Sequence, residues 1–352
     1  MNPTRRLLDL FGIALPIVQA PMAGCDTVAL AAAVATADGL GSLACAMRSA
    51  DDVRAAVAAF RTNGDRPLNL NFFCHREPAP DAAAQDAWRN ALAPYYAEHG
   101  LDANAATQGA SRRPFDEATC ELVEALRPRV VSFHFGLPAP ELVARVRAAG
   151  CVVIASATTV AEARHLEAHG CDAVIAMGAE AGGHRGMFLD GDASRQVGTF
   201  ALVPQIVDAV GVPVIAAGGI ADARGVAAAF ALGAAAVQVG TAYLPCAEAN
   251  VSAVHRAALA VANADDTAIT NVFTGRPARS IANRAVRELG PMSPLAPAFP
   301  LAAAALLPLR QHAERAGSGD FSPLWAGQGV ALARATDAAA LTRALAQGVP
   351  GR

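Results

Sequence analysis

The stretch from Pro213 to Thr241, PVIAAGGIADARGVAAAFALGAAAVQVGT, carries the pattern that decides the fold. An apolar run ends in Gly218-Gly219, an Ala-rich segment of helical length follows, and a second apolar run ends in Gly240-Thr241. The same rhythm recurs upstream. It predicts strands at Pro16–Met22, Leu40–Ala46, Leu68–Phe73, Val130–Gly136, Cys151–Ala157, Ala173–Gly178, Pro213–Gly219 and Ala236–Thr241. These runs are mostly continuous rather than alternating, as parallel strands buried on both faces require. Eight strand-then-helix units predict an α/β fold, a closed (β/α)8 TIM barrel. An open doubly wound sheet also alternates strand and helix, but sets a Gly-x-Gly-x-x-Gly signal after its first strand. Here that turn is Pro21-Met22-Ala23-Gly24, and the glycine signals come late.

Helix starts are marked by their first turns. Asp51 and Asp52 place acids at the start of one helix, and Thr159 with Glu162 has the capping-box spacing. Two segments exceed the repeat. His75–Arg129, with Pro78, Pro80, Trp88 and the Tyr95-Tyr96 pair, reads as an excursion near the barrel mouth. A long remainder follows the eighth strand, with helical stretches at Ala247–Ala264, Leu301–Gly317 and Gly329–Gln347. The expected organisation is a barrel core over residues 1–245, including the 75–129 excursion, and a helical segment over 246–352. That C-terminal segment is expected to pack on the mouth and form part of the substrate pocket.

Composition narrows the function. Of 352 residues, 53% are hydrophobic and 17% charged, which suits a large buried core. A net charge of −3 gives no electrostatic reason to expect nucleic acid or an anionic membrane as partner. No apolar run has the length and flanks of a membrane span, and Met1–Leu10 lacks an apolar signal core. A cytoplasmic location is therefore expected. The seven cysteines form no Cys-x-x-Cys pair and are expected to be reduced. All 28 basic residues are arginine. The absence of lysine excludes Schiff-base aldolases and pyridoxal-phosphate enzymes, which need a lysine amine.

The loops after the seventh and eighth strands of such a barrel build its phosphate site, where glycines let backbone N–H groups approach an anion. Gly218, Gly219, Gln238, Val239, Gly240 and Thr241 are the candidates. A helix entered at Ala221–Gly225 would add the partial positive charge of its N-terminus. Nucleotide and sugar phosphates dock alike, so the other strand ends must discriminate. The backbone of Ala20, Pro21 and Met22 can lie along a flat ring, while Asn69 and Asn71 share one face of the third strand. A buried amide needs partners. Flavin mononucleotide (FMN) would supply them, above all for Asn71, which is nearer the C-terminal end; for Asn69 a purely structural hydrogen bond is an equal alternative.

The sixth strand runs into Met177-Gly178-Ala179-Glu180-Ala181-Gly182-Gly183-His184-Arg185-Gly186, a loop flexible enough to approach a ligand closely. His184 is its candidate general base, or the group that holds an anionic substrate. Glu180 and Arg185 either pair with each other or orient the loop. His134, in Ser132-Phe133-His134-Phe135-Gly136, is a second pocket candidate. His165 and His169 read as a solvated helix face beside Glu162 and Glu167, and no metal site is expected.

Several of these segments together resemble the class I nitronate monooxygenases, formerly called 2-nitropropane dioxygenases. They are Gln19–Met22, Gly39–Ser42, Asn71–His75, Ser132–Gly136, Ala157–Thr159, Glu180–Gly186, Ala216–Ile220, Gln238–Thr241, Thr274–Arg276 and Trp325–Gln328. The Glu180–Gly186 run is specific, whereas the glycine ends of strands seven and eight are shared with many phosphate-binding barrels. The resemblance implies an FMN-dependent oxidoreductase that oxidises alkyl nitronates such as propionate 3-nitronate. It implies molecular oxygen as the oxidant, with a carbonyl compound and nitrite as the products. It implies that His184 lies beside the flavin ring, removing the α-proton of a neutral nitroalkane or positioning a nitronate that is already an anion. It implies FMN contacts from Asn71, Gly182, Gly219 and the Gln238–Thr241 turn, with His134 lining the pocket. A homodimer is left open.

The chain departs from the family pattern at three places. Met177 stands where Gln is usual, so one flavin hydrogen bond is lost or replaced. Cys25 and Asp38 stand where Gly is common. The competing readings are an FMN-dependent NADH:quinone reductase or enoyl-acyl-carrier-protein reductase of the related barrels, and a flavin-binding sensor without turnover. An IMP-dehydrogenase-like enzyme needs a cysteine in the loop after strand six, and residues 179–200 contain none.

Overall fold

The computed structural model describes residues 2–79, 81–103 and 112–351. Its strands are β1 (Ile17–Gln19), β2 (Gly41–Ala44), β3 (Leu68–Phe73), β4 (Val130–His134), β5 (Val152–Ala157), β6 (Ala173–Met177), β7 (Gly183–His184), β8 (Val214–Ala217), β9 (Ala236–Val239), β10 (Thr267–Thr270) and β11 (Ala278–Ile281). Eight of them pair in parallel in the order β1-β9-β8-β6-β5-β4-β3-β2. A parallel bridge between Val18 and Leu40 joins β1 to the start of β2 and closes the ring. This is the (β/α)8 TIM barrel. β3 has the expected bounds; β8 stops two residues early because Gly218 and Gly219 take φ of +118° and +71°, outside any ladder.

Alternation along each strand divides the core into two layers. Leu43, Leu70, Phe72, Val131, Phe133 and Val153 face the surrounding helices. Val18, Val130, Val152, Ile154, Ile175 and Ile215 form a second cluster in the barrel interior with Leu7 and Phe11. Those last two belong to the helix Pro3–Phe11, which plugs the N-terminal end of the barrel.

The outer ring contains the helices Val28–Thr36, Ala50–Arg61, Glu117–Leu126, Pro140–Ala148, Val160–Ala168, Thr199–Val207 and Ala223–Ala231. Its eighth place is taken by Ala338–Ala346, which packs between Val28–Thr36 and Ala223–Ala231. The last helix of the C-terminal segment thus belongs to the barrel wall rather than the mouth. Two hydrogen bonds tie it to the chain after β9: Tyr243 Oη to Thr342 Oγ1 at 2.7 Å, and Ala338 N–H to the Glu248 carboxylate at 3.0 Å. Nor is the segment wholly helical. β10 and β11 pair antiparallel, and β11 pairs with β7 in the loop after β6.

Helices Ala253–Val261 and Ala302–Arg315 fall within two of the expected C-terminal stretches. Ala302–Arg315 packs on Ala82–Glu98 from the excursion, where Trp88 Nε1 donates to the Ala302 carbonyl at 3.1 Å. Pro80 and residues 104–111 of that excursion lie outside the described residues. Asp38, at φ +64°, occupies a left-handed turn that an aspartate tolerates, and its carboxylate pairs with Arg66 at 2.9 Å. All seven cysteines are free. Among the described residues no helix is long and apolar enough to cross a membrane.

Leu345 is completely buried where the eighth helix meets the barrel. Leu345→Ala should lower the unfolding free energy by about 2–5 kcal/mol in urea titration. A loss under about 1 kcal/mol would mean that this helix is not part of the cooperative wall.

Candidate active site

In a parallel barrel every strand delivers its C-terminal end to the same face. Here those ends open on a cavity of about 480 Å³. Ala20, Pro21, Met22, Asn71, His134, Met177, Gly182, His184, Gly218, Gly219, Gln238, Gly240 and Thr241 all line it. Val239 does not. Alternation turns it away from Gln238 into the helix-facing core, and its carbonyl accepts from Ala20 N–H at 2.8 Å.

Beneath the cavity a polar layer crosses the barrel. Gln19 Oε1 accepts from Ser42 N–H at 2.8 Å, Asn69 Nδ2 donates to Ser42 Oγ at 3.0 Å, and Asn71 Nδ2 donates to Ser132 Oγ at 2.9 Å. Asn69 thus donates structurally through Nδ2, with its Oδ1 buried and unpartnered, while Asn71 reaches the cavity. The Pro21-Met22 turn is held from behind by Asp26, which sequence reading missed. This buried carboxylate accepts from the N–H groups of Met22 and Ala44, each at 2.8 Å, and pairs with Arg48 at 2.9 Å.

The loop after β6 has several restraints. Glu180 and Arg185 do not pair; each orients a different part of it. The Glu180 carboxylate accepts from the N–H and hydroxyl of Thr199 at the start of a helix. Arg185 is fully buried, with Nη2 donating to the Met177 carbonyl and Nε to Gln196 Oε1, both at 2.9 Å. Trp325–Gln328 lies across the loop, and a Cβ on Gly182 would come within 2.5 Å of Gly327 N. Only glycine fits there.

His184 stands on β7, in register with Ala278 of β11. Its Nε2 lies 2.9 Å from Thr274 Oγ1, and Phe299 and Trp325 each approach its ring at 5.3 Å between centroids. Phe73 and Phe135 complete an aromatic wall at 6.3 and 5.9 Å. Phe135 holds φ at +72°, a costly conformation for a bulky residue, immediately after β4. Burial pushes the His184 imidazole well below its ordinary range, reinforced by Arg112, His134, Arg276 and His75. His134 lies next to it: Nε2 donates to the His184 carbonyl at 3.1 Å and Nδ1 accepts from Ser156 Oγ at 3.2 Å. Burial brings His134 down to about 4. The Cys25 thiol, raised by burial to about 11, lines the cavity as a neutral group.

At the strand ends expected to hold phosphate one expectation is corrected. The helix Ala223–Ala231 does not offer its N-terminus, because Asp222 Oδ1 already accepts from the N–H groups of Arg224 and Gly225. The free donors are in the loops. The N–H groups of Gly219, Gly240 and Thr241 donate to no acceptor among the described residues. Gln238 Oε1 is buried at the cavity wall without a partner. Free backbone donors at one end and an orphaned amide oxygen further in are what a flavin phosphate and a flavin ring would complete. The residues fit FMN.

Thr274, Phe135, Phe299 and Trp325 were not singled out as site residues from sequence. Thr274, Phe135 and Trp325 lay inside segments carrying the family resemblance; Phe299 had no local signal. Among the described residues no cluster of His, Cys, Asp and Glu could hold a metal ion.

Fold and site together define a (β/α)8 barrel whose ligand cavity is walled by neutral imidazoles and aromatic rings. Comparison with known proteins makes the assignment specific. The nitronate monooxygenase family model matches residues 4–348. The nitronate monooxygenase of Paraburkholderia phytofirmans is 44% identical over 344 residues, covering 97% of this chain and 94% of that protein. That of Pseudomonas aeruginosa is 42% identical over 350 residues, covering 99% and 100%. The crystal structure of a nitroalkane oxidase from Streptomyces ansochromogenes superposes with a TM-score of 0.88 at 40% identity, over 98% of this chain and 97% of that one. FabK from Thermotoga maritima gives a TM-score of 0.72 at 30% identity, over 97% and 95%. The chain belongs to the nitronate monooxygenase family.

Because burial disfavours the charged imidazolium, His184 and His134 should both stay neutral from pH 8 to below pH 6. NMR of ring-labelled histidine checks this, and a His184 transition near the ordinary value of about 6.5 would contradict it.

Proposed function

We propose that this enzyme binds FMN at the mouth of its barrel and oxidises propionate 3-nitronate, or a nitronate close to it, with O2. The observation that carries the reading is His184, a neutral imidazole fixed at the cavity wall by Thr274 and β11. When bound, FMN supplies the electron acceptor and the reactivity toward oxygen. Its phosphate would be held by the N–H groups of Gly219, Gly240 and Thr241, and its ring edge by Gln238 and Asn71. Met177 offers no side-chain donor there, so Gln238 becomes the more important polar contact.

The chain's own residues bind the substrate and govern its proton. When the Thr274 hydroxyl donates to the Arg276 carbonyl, 3.5 Å away, its oxygen accepts from His184 Nε2–H and leaves Nδ1 unprotonated. That nitrogen can take the α-proton of a neutral nitroalkane. A nitronate has already lost this proton, so His184 then serves to orient it. The aromatic wall of Phe73, Phe135, Phe299 and Trp325 excludes water from the reacting carbon.

His184→Ala should retain FMN, lose roughly 10²–10⁴-fold in turnover of neutral nitroalkanes, and lose less on nitronates. Equal activity with wild type on both would remove His184 from the chemistry. Gly219→Val places a β-branched residue at φ +71° and should release FMN from the purified protein, read from its visible spectrum. Full flavin content in that variant would defeat the phosphate placement. Anaerobic NADH should leave the flavin oxidised, whereas rapid bleaching would favour a reductase.

A further inference from the structure

Among the described residues, the charged side chains lining the cavity are Arg112, Glu180, Arg310 and Glu314. Three of these are partnered. Glu180 is bound to Thr199, and Arg310 Nε donates to Glu314 Oε1 at 2.8 Å, which also accepts from the Ser322 hydroxyl at 2.7 Å. Arg112 forms no ion pair among the described residues, and its Nη1 is buried without a hydrogen-bond partner. Residues 104–111, beside it in the chain, include no Asp or Glu that could supply a counter-charge. Arg112 as a whole is only partly buried, but a guanidinium nitrogen buried without an acceptor is unfavourable until an anion completes it.

Its position follows from neighbouring packing. Three residues on, Phe115 donates its N–H to the Phe73 carbonyl at 2.7 Å and sets its ring against Phe72 and Phe133 at 5.2 and 5.1 Å. This brings the Arg112 guanidinium to 5.9 Å from the Phe299 ring, the same ring that contacts His184 at 5.3 Å. Arg276, the other cation close to His184, also keeps a buried Nε without a partner, but it donates to the Met187 carbonyl, lies 3.9 Å over the Phe135 ring and is not among the residues lining the cavity. With both imidazoles neutral, Arg112 is the positive charge left for a substrate's second anionic group.

We propose that Arg112 is a specificity-determining residue, holding the carboxylate of a carboxylated nitronate one aromatic ring away from His184. The planar fork of arginine matches a carboxylate through two parallel hydrogen bonds. This inference rests on the nitronate-oxidising reading of the same cavity.

The test compares propionate 3-nitronate with propyl-1-nitronate, which has the same carbon chain without the carboxylate. In Arg112→Gln the ratio of their kcat/KM values should fall roughly 10- to 100-fold, mostly through KM, and Arg112→Lys should recover part of it. An unchanged ratio overturns the proposal, whether both substrates lose equally or neither loses. Loss of bound FMN in Arg112→Gln also overturns it, assigning the charge to the cofactor. Should that variant fail to fold, the wild-type enzyme carries the test: propionate must compete with propionate 3-nitronate and uncharged propanamide must not. Equal or absent competition overturns the assignment. Absence of nitrite from either nitronate with wild type would count instead against the nitronate reading itself.

Discussion

Arg185 is the constraint on which the active-site loop depends. It is fully buried, and it is stabilised by the carbonyl of Met177 and the amide of Gln196 rather than by an ion pair. Burial lowers its guanidinium to about 10, still charged at neutral pH. Because its hydrogen bonds run back to the last residue of β6, the intervening glycine-rich turn is closed on itself. Its own N–H donates to the Pro277 carbonyl at 2.8 Å, which aligns β7 with β11. His184 is the residue before it. An imidazole in a loop with four glycines from 178 to 186 is thereby fixed by strand pairing on one side and by Thr274 on the other.

The electrostatics of the cavity follow from the same burial. His75, His134 and His184 gather near Arg112 and Arg276, and each imidazole is pushed below its ordinary range, chiefly by desolvation. A cluster of neutral rings with a cation at its edge suits an anionic substrate. It attracts charge without presenting an acid that would protonate a nitronate carbon. The strained backbone of Phe135 belongs to this arrangement, since its ring lies beneath Arg276 and between Phe73 and Phe299.

Much of the barrel was legible because parallel strands buried on both faces leave continuous apolar runs, which Gly and Pro then punctuate. The cavity-lining candidates were legible for a related reason, since strand ends in a barrel converge whatever the loops do. Val239 could have been placed correctly from alternation with Gln238. β7 could not: two residues, Gly183 and His184, carry no periodicity, and their partner strand begins at Ala278. Arg112 reaches the cavity, and Phe299 the His184 ring, only through long-range packing. Asp222 illustrates a competing local rule, because an aspartate at a helix N-cap satisfies the donors that an anion would otherwise use. The eighth helix was hard to assign because it follows its strand only after the β10–β11 pair and further helices.

Family membership, barrel and cavity all favour nitronate oxidation, and His184 lines that cavity with its imidazole held well below its ordinary range. The most direct measurement is simultaneous recording of oxygen uptake and nitrite release by the purified, flavin-loaded protein supplied with propionate 3-nitronate. The account predicts that both rise together and stop when either the nitronate or oxygen is exhausted. Bound flavin with neither oxygen uptake nor nitrite from this or any other nitronate would contradict it.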